Sequence, residues 1–294
     1  LVIVPNLTFV ASVNSIKYCG ADPILADVDF QTWQMDLNLL EKFLSEKTVI
    51  KTDICFHKKS GRKIKAIMPV HVLGNMCNMD RLISIAKKYN LTVIEDATEA
   101  LGSSFKDKHA GTFGKFGCFS FNGNKIITTG GGGMIVTNNK ALAARAKHLT
   151  TQAKSNSFEY IHDQVGYNYR LVNILAAMGL AQMEQLPNFL ARKIEIKEMY
   201  DSEILKITGV KNQCVDIQIQ SNSWLYTLIV PQQKHLMRYL LSNKVEVRPL
   251  WKPMNRLKMF TEDTYLSEQD VSRKLYNSCI SLPCSTGISD AAVQ

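Results

Sequence analysis

Lys125 lies between a strand-like stretch, Gly117-Cys-Phe-Ser-Phe121, and four consecutive glycines, Gly130 to Gly133. The intervening Asn122-Gly123 pair favours a sharp turn, because both residues tolerate positive φ. The glycine run lets backbone approach a neighbour closely. An amine held between a strand end and such a run is placed for covalent chemistry. The same stretch also reads as a surface turn with an ordinary lysine. Asp96 ends an apolar strand over 91–96, and Glu99 follows three residues later. A carboxylate there either caps the next segment or faces a ligand, since open α/β sheets collect ligands beyond the carboxyl ends of their strands.

The elements that must position these groups alternate. Strands are expected over 2–5, 23–28, 66–71 and 91–96. Helices are expected over 8–18 (Thr8 as N-cap, Gly20 as stop), from Asp36 to 44, and from Asp80 to about 89. That alternation predicts an α/β fold with a doubly wound, mostly parallel sheet between helices. After Thr137 the pattern changes to helices over 139–150, 171–184 and 187–207. Strands over 224–230 and 245–248 and helices over 233–241 and 268–277 then predict a smaller α+β unit. The expected division is 1–185 for the large domain and 186–294 for the small one.

Composition narrows the function classes. At 294 residues, 46% hydrophobic and 21% charged, the chain is an ordinary globular protein with no membrane-length apolar run and no visible signal peptide. It opens on Leu-Val-Ile-Val-Pro and closes on Asp-Ala-Ala-Val-Gln, which suggests a fragment clipped at both ends. The seven cysteines form no C-x-x-C pair and the six histidines no zinc spacing, so no metal is expected and reduced cytoplasmic thiols are the simpler account. The net charge of +9 is densest over 57–65, around a Ser-Gly turn without interleaved aromatics. That reads as a solvated hairpin tip rather than a nucleic-acid site. Diffuse positive charge also suits an acidic substrate such as a nucleotide diphosphate. Gly111-Thr-Phe-Gly-Lys115 is too short for a phosphate P-loop and is expected to form a turn.

An aspartate able to hold a pyridine nitrogen protonated, with a lysine able to form a Schiff base, is the minimum that pyridoxal phosphate chemistry requires. At this point the resemblance becomes specific. Val4-Pro-Asn-Leu-Thr-Phe9-Val-Ala-Ser12, Pro69-Val-His71-Val-Leu-Gly74, Ile94-Glu-Asp96-Ala-Thr-Glu99 and Gly111-Thr-Phe-Gly114 occur in order. Ser120-Phe-Asn-Gly-Asn-Lys125, Thr128-Thr-Gly-Gly-Gly-Gly133 and Gly166-Tyr-Asn168-Tyr-Arg170 follow. The first two-thirds of the chain thereby resembles the DegT/DnrJ/StrS family of sugar aminotransferases, which are pyridoxal 5'-phosphate enzymes of fold type I, aspartate aminotransferase-like. The last third matches more loosely, through Val247-Arg-Pro-Leu-Trp-Lys-Pro253.

The resemblance implies that Lys125 is the Schiff-base lysine and proton shuttle and that Asp96 pairs with the pyridine nitrogen. It further implies that Phe9 stacks on the ring, Ser120 binds the phosphate, and Asn168 reaches the phosphate from the neighbouring subunit of a homodimer. Glu99 stands where the family often has glutamine, facing the cofactor's phenolic oxygen; either it is protonated or it turns aside. Gly131 replaces the glutamate of the commoner T-T-G-E-G-G pattern. His71 lies near the cofactor or packs at a strand end, and His162 and Asp163 sit in a loop that could touch substrate. The family's phosphate-binding Gly-Thr loop would precede Leu1, so weak cofactor binding is expected of this chain.

The implied reaction moves an amino group from L-glutamate to a nucleotide-linked 4-keto-6-deoxy sugar, an N-acetylhexosamine on this reading. The match is closest to members on the bacillosamine, legionaminic acid and perosamine routes, which serve cell-surface polysaccharide or nonulosonic acid synthesis. Two alternatives stand beside it: a dehydratase of the same fold, which would lack Lys125, and a protein of this fold without turnover. No nucleic acid or membrane partner is expected.

Overall fold

The computed structural model describes residues 1–156 and 158–294. Its central sheet has seven strands in the order Gly133–Val136, Phe116–Ser120, Thr92–Asp96, Ala66–Ile67, Val2–Pro5, Pro23–Ala26 and Thr264–Leu266. Every pairing is parallel except that of Gly133–Val136 with Phe116–Ser120. Helices Val10–Tyr18, Leu37–Lys47 and Met79–Lys88 connect successive parallel strands, as crossovers require. Successive residues face opposite sides of a strand. Ile3 and Ile24 therefore enter a core with Leu40, Leu44, Leu82 and Ile85, while Val4 and Leu25 enter a second with Val13, Ile16 and Leu275. Burial on both faces explains why the strands read as continuous apolar runs.

Local chemistry sets most boundaries. Asp36 caps Leu37–Lys47 by accepting from the Asn38 and Leu39 amides. Two expected starts shift. Met79–Lys88 is capped by Asn78, whose Oδ1 accepts from Arg81 N at 2.9 Å, and Asp80 sits inside the first turn, where the helix dipole favours a carboxylate. Thr8 does not cap Val10–Tyr18; Phe9 occupies that place, and the buried Thr8 hydroxyl lies 2.9 Å from Ser12 Oγ. The strand expected over 66–71 ends at Ile67, with Pro69 unable to donate to a ladder and Val70 making only a bridge to Asp96. The strand expected over 245–248 lies at Arg248–Pro249.

Beyond the central sheet, helices Asn173–Glu184 and Leu186–Ile204 lead to a four-stranded antiparallel sheet in the order Lys211–Asn212, Tyr226–Ile229, Cys279–Leu282, Arg248–Pro249. Two segments return to the first part of the chain: Thr264–Leu266 at the sheet edge and Ile219–Gln220 against Ser104–Phe105. The basic run is the expected hairpin, Ile54–His57 against Lys63–Ile64, with Lys58, Lys59 and Arg62 exposed. Among the described residues no helix is long and apolar enough to cross a membrane, and no His, Cys, Asp and Glu cluster could hold a metal ion.

Candidate active site

Three parallel strands deliver their carboxyl ends to one cavity of about 460 Å³. The chain leaving Val2–Pro5 supplies Thr8, Phe9 and Ser12. Thr92–Asp96 supplies Asp96, Thr98 and Glu99, and Phe116–Ser120 supplies Ser120, Asn122, Asn124 and Lys125. Trp224 and Trp251, from the last third of the chain, complete the wall. A larger hollow of about 920 Å³ runs along Gly133–Val136, but its apolar lining contains no carboxylate to work with a lysine.

Asp96 is fixed from two sides. Its Oδ2 accepts from Ser12 Oγ at 2.7 Å and its Oδ1 from Thr98 N at 3.2 Å. Its backbone is held by Asp96 N donating to Pro69 O at 2.9 Å and His71 N donating to Asp96 O at 3.0 Å. Glu99 does not turn away from the cavity. It is 3% exposed, and its Oε2 accepts from Leu73 N at 2.7 Å. Burial pushes its pKa up to about 8, against the opposing pull of Lys125 and the Leu73 amide, which favours the protonated carboxyl.

Lys125 follows the Asn122-Gly123 turn, closed by Lys125 N donating to Asn122 O at 3.0 Å. Its Nζ lies 4.1 Å from the centroid of the Trp224 ring. Burial moves the amine's pKa below its usual value, while Glu99 and Asp96 push it back up. Ser120 is half-buried on the same wall, and Phe9, 54% exposed, presents its ring at the rim.

Other candidates fall elsewhere. Asn168 is exposed and pairs in a bridge with Thr151, outside this cavity. His71 is packed away: it is fully buried, its Nε2 is 3.0 Å from Glu95 Oε2, and its Nδ1 has no partner among the described residues. His162 Nδ1 lies 2.7 Å from Gln152 O and Asp163 pairs with His148 at 2.8 Å, both on the exposed surface and outside the cavity lining.

Three residues had no functional reading in the sequence: Ser12, Glu95 and Trp224. Glu95 accepts from the Gly111, Phe113 and Gly114 amides at 2.8, 2.7 and 2.6 Å. The Gly111–Lys115 turn is thus an amide nest filled by the protein's own carboxylate rather than by a phosphate. Gly111 adopts φ +80°, and a Cβ on Gly117 would lie 2.0 Å from Gly111 O, so both glycines are required where these turns touch.

Pyridoxal phosphate requires an amine, a carboxylate for its ring nitrogen, an apolar surface for its ring and polar groups for its phosphate. Lys125, Asp96, Phe9 and Ser120 line one cavity of sufficient size, so the residues present fit that group. Fold and cavity together define a pyridoxal phosphate-dependent aminotransferase. The chain belongs to the DegT/DnrJ/EryC1/StrS aminotransferase family, whose sequence pattern matches residues 1–294. It is 41% identical over 264 residues to the GDP-perosamine synthase of Escherichia coli O157:H7, covering 89% of this chain and 68% of that protein. It is 35% identical to the GDP-perosamine synthase of Caulobacter vibrioides, over 99% of this chain and 76% of the other. A DegT DnrJ EryC1 StrS aminotransferase from Brucella abortus superposes with a TM-score of 0.90 at 25% identity, covering 99% of this chain and 76% of that one. The protein is accordingly a pyridoxal phosphate-dependent sugar aminotransferase.

Proposed function

We propose that the protein transfers the amino group of L-glutamate to the 4-keto group of a nucleotide-linked 4-keto-6-deoxy sugar, as a homodimer. The observation that carries this reading is the shared cavity of Lys125, Asp96, Phe9 and Ser120 at the carboxyl ends of parallel strands. The perosamine synthases among its relatives support amination of a deoxy sugar and favour a GDP-linked substrate over the N-acetylhexosamine expected from the sequence.

On this reading Lys125 Nζ would hold the cofactor and, as a free amine, would serve as the base that moves a proton at the substrate carbon. Bound pyridoxal phosphate supplies an electron sink that makes the carbon bearing the amino group acidic. Asp96, kept in position by Ser12, would pair with the ring nitrogen. Phe9 would cover a ring face. Ser120 would bind the phosphate, with Asn168 contributed across the homodimer. Glu99, whose raised pKa favours the protonated form, would meet the phenolic oxygen without repelling it. Residues 1–185 form the cofactor-binding domain and 186–294 the smaller one, which reaches back with Trp224 and Trp251.

The presence of Lys125 disfavours a dehydratase, and the lysine–carboxylate lining disfavours a protein without turnover. An absorbance spectrum tests the reading directly. Added pyridoxal phosphate should give a long-wavelength band that glutamate bleaches and that Lys125→Ala lacks. A GDP-linked 4-keto-6-deoxy hexose should then regenerate the band, more efficiently than a UDP-linked N-acetyl analogue. If the wild type forms no band even at saturating pyridoxal phosphate, the aminotransferase reading of this cavity fails.

A further inference from the structure

We propose that Trp224 is a positioning residue for Lys125, anchoring the lysine's turn and offering its ring face as the resting place of Nζ whenever that amine is not covalently engaged. The proposal rests on the reading of Lys125 as the reactive amine, and it adds a residue from the other end of the chain to the lysine's machinery.

Trp224 touches the lysine segment at two points. Its Nε1–H donates to Asn124 O at 2.7 Å, and that carbonyl belongs to the peptide group that continues into Lys125 N. Its ring face lies under Lys125 Nζ, 4.1 Å from the centroid. Glu99 and Asp96, the titratable groups facing the amine, act on it through space, with no hydrogen bond to it among the described residues. The negative face of an indole attracts an ammonium most strongly where water is excluded, and Trp224 is 4% exposed.

The indole itself is held from several sides. It stacks on Trp251 with centroids 6.4 Å apart and planes 13° apart. Its backbone N–H donates to Asn222 Oδ1 at 2.9 Å. Asn222 in turn donates through Nδ2 to Glu99 O at 2.8 Å and Leu101 O at 2.9 Å. The platform is therefore tied to the turn that carries Glu99, and the ring has little freedom to leave the lysine. A held ring suits a lysine that must return to one place after each half-reaction, because immobilised groups lose little entropy on re-engaging.

The test is the pH dependence of Lys125 labelling by an amine-selective reagent, read by mass spectrometry on the whole chain before and after addition of pyridoxal phosphate. Trp224→Leu keeps apolar bulk and removes the ring face, so the midpoint for Lys125 should fall by about 0.5–1.5 pH units, the scale of a desolvated cation–π contact. Trp224→Phe keeps a face and loses the N–H, so its midpoint should fall less. An unchanged midpoint in a folded Trp224→Leu protein overturns the proposal. Should that variant not fold, the wild type decides: 13C-methylated Lys125 should show an upfield ring-current shift, and a shift typical of exposed lysine overturns it. Protection of Lys125 by pyridoxal phosphate tests the underlying reading separately. Its absence would sink that reading even if the labelling midpoint moved as expected.

Discussion

At the residue scale, the cavity holds ionisable groups whose surroundings work on them in different ways. Glu99 is buried and hydrogen-bonded, with a folded pKa of about 8, above its unfolded value. The folded state therefore binds more protons than the unfolded state between the ordinary carboxylate range and pH 8, and stability contributed at this site falls as pH rises through that window. Glu99→Gln removes that dependence. The variant should keep activity within a few-fold at pH 7 and outperform wild type above pH 8, where the wild-type carboxylate ionises beside the cofactor. Parallel pH–rate profiles and thermal melts of the two proteins check this, and superimposable profiles would refute it. Asp96→Asn should lower kcat by roughly 100-fold or more, the scale of losing a preorganised electrostatic partner, while leaving the melting temperature little changed. A kinetic assay beside calorimetry separates the two effects.

At the scale of elements, Glu95 bears on the whole site although its carboxylate is taken up by the Gly111 turn and His71. It follows Ile94 in the strand that ends at Asp96, and it gathers the Gly111, Phe113 and Gly114 amides and His71 around one carboxylate. Burial pushes its pKa up, but His71 and the Gly114 and Gly111 amides outweigh burial and hold it below the usual value. The stability it contributes is present above the unfolded pKa and is lost as pH falls through the folded one. Glu95→Ala strands several buried donors and should cost about 3–5 kcal/mol, the scale of breaking a buried ionic network. Denaturant unfolding at pH 7 measures it; a cost below about 1 kcal/mol would mean that water replaces the carboxylate.

At the scale of the whole molecule, helix Asn173–Glu184 has no buried residue, and it exposes Ile174, Met178, Leu180 and Met183. Tyr167, Tyr169 and Val172 extend that surface toward Asn168. An apolar face of this kind marks an interaction surface, in keeping with the proposed homodimer in which each Asn168 serves the other subunit's cavity. Mixing Lys125→Ala with Asn168→Ala subunits should then restore activity that neither has alone, approaching about one quarter of wild type when half of the dimers are mixed and one site in each is intact. Failure of the mixture to regain activity, with both variants dimeric by sedimentation, would place Asn168 outside the partner's site.

The sequence by itself determined what is local. Strand and helix alternation, the Asp36 cap, the Asn122-Gly123 turn and the basic hairpin depend on neighbouring residues, and these were legible from spacing and turn chemistry. Lys125 and Asp96 were legible because they sit at strand ends, where backbone direction brings side chains to one side of the sheet, and Ser120 was legible through the motif that carries the family resemblance. The tertiary structure decided the rest, since it depends on which distant segments meet. His71 packs against Glu95 instead of facing the cavity, burial raises the pKa of Glu99, and the Gly111 turn wraps an internal carboxylate. Trp224 reads as an ordinary strand start until the chain's last third folds back onto Lys125. Burial and long-range contact are properties of the assembled chain, and no window of sequence contains them.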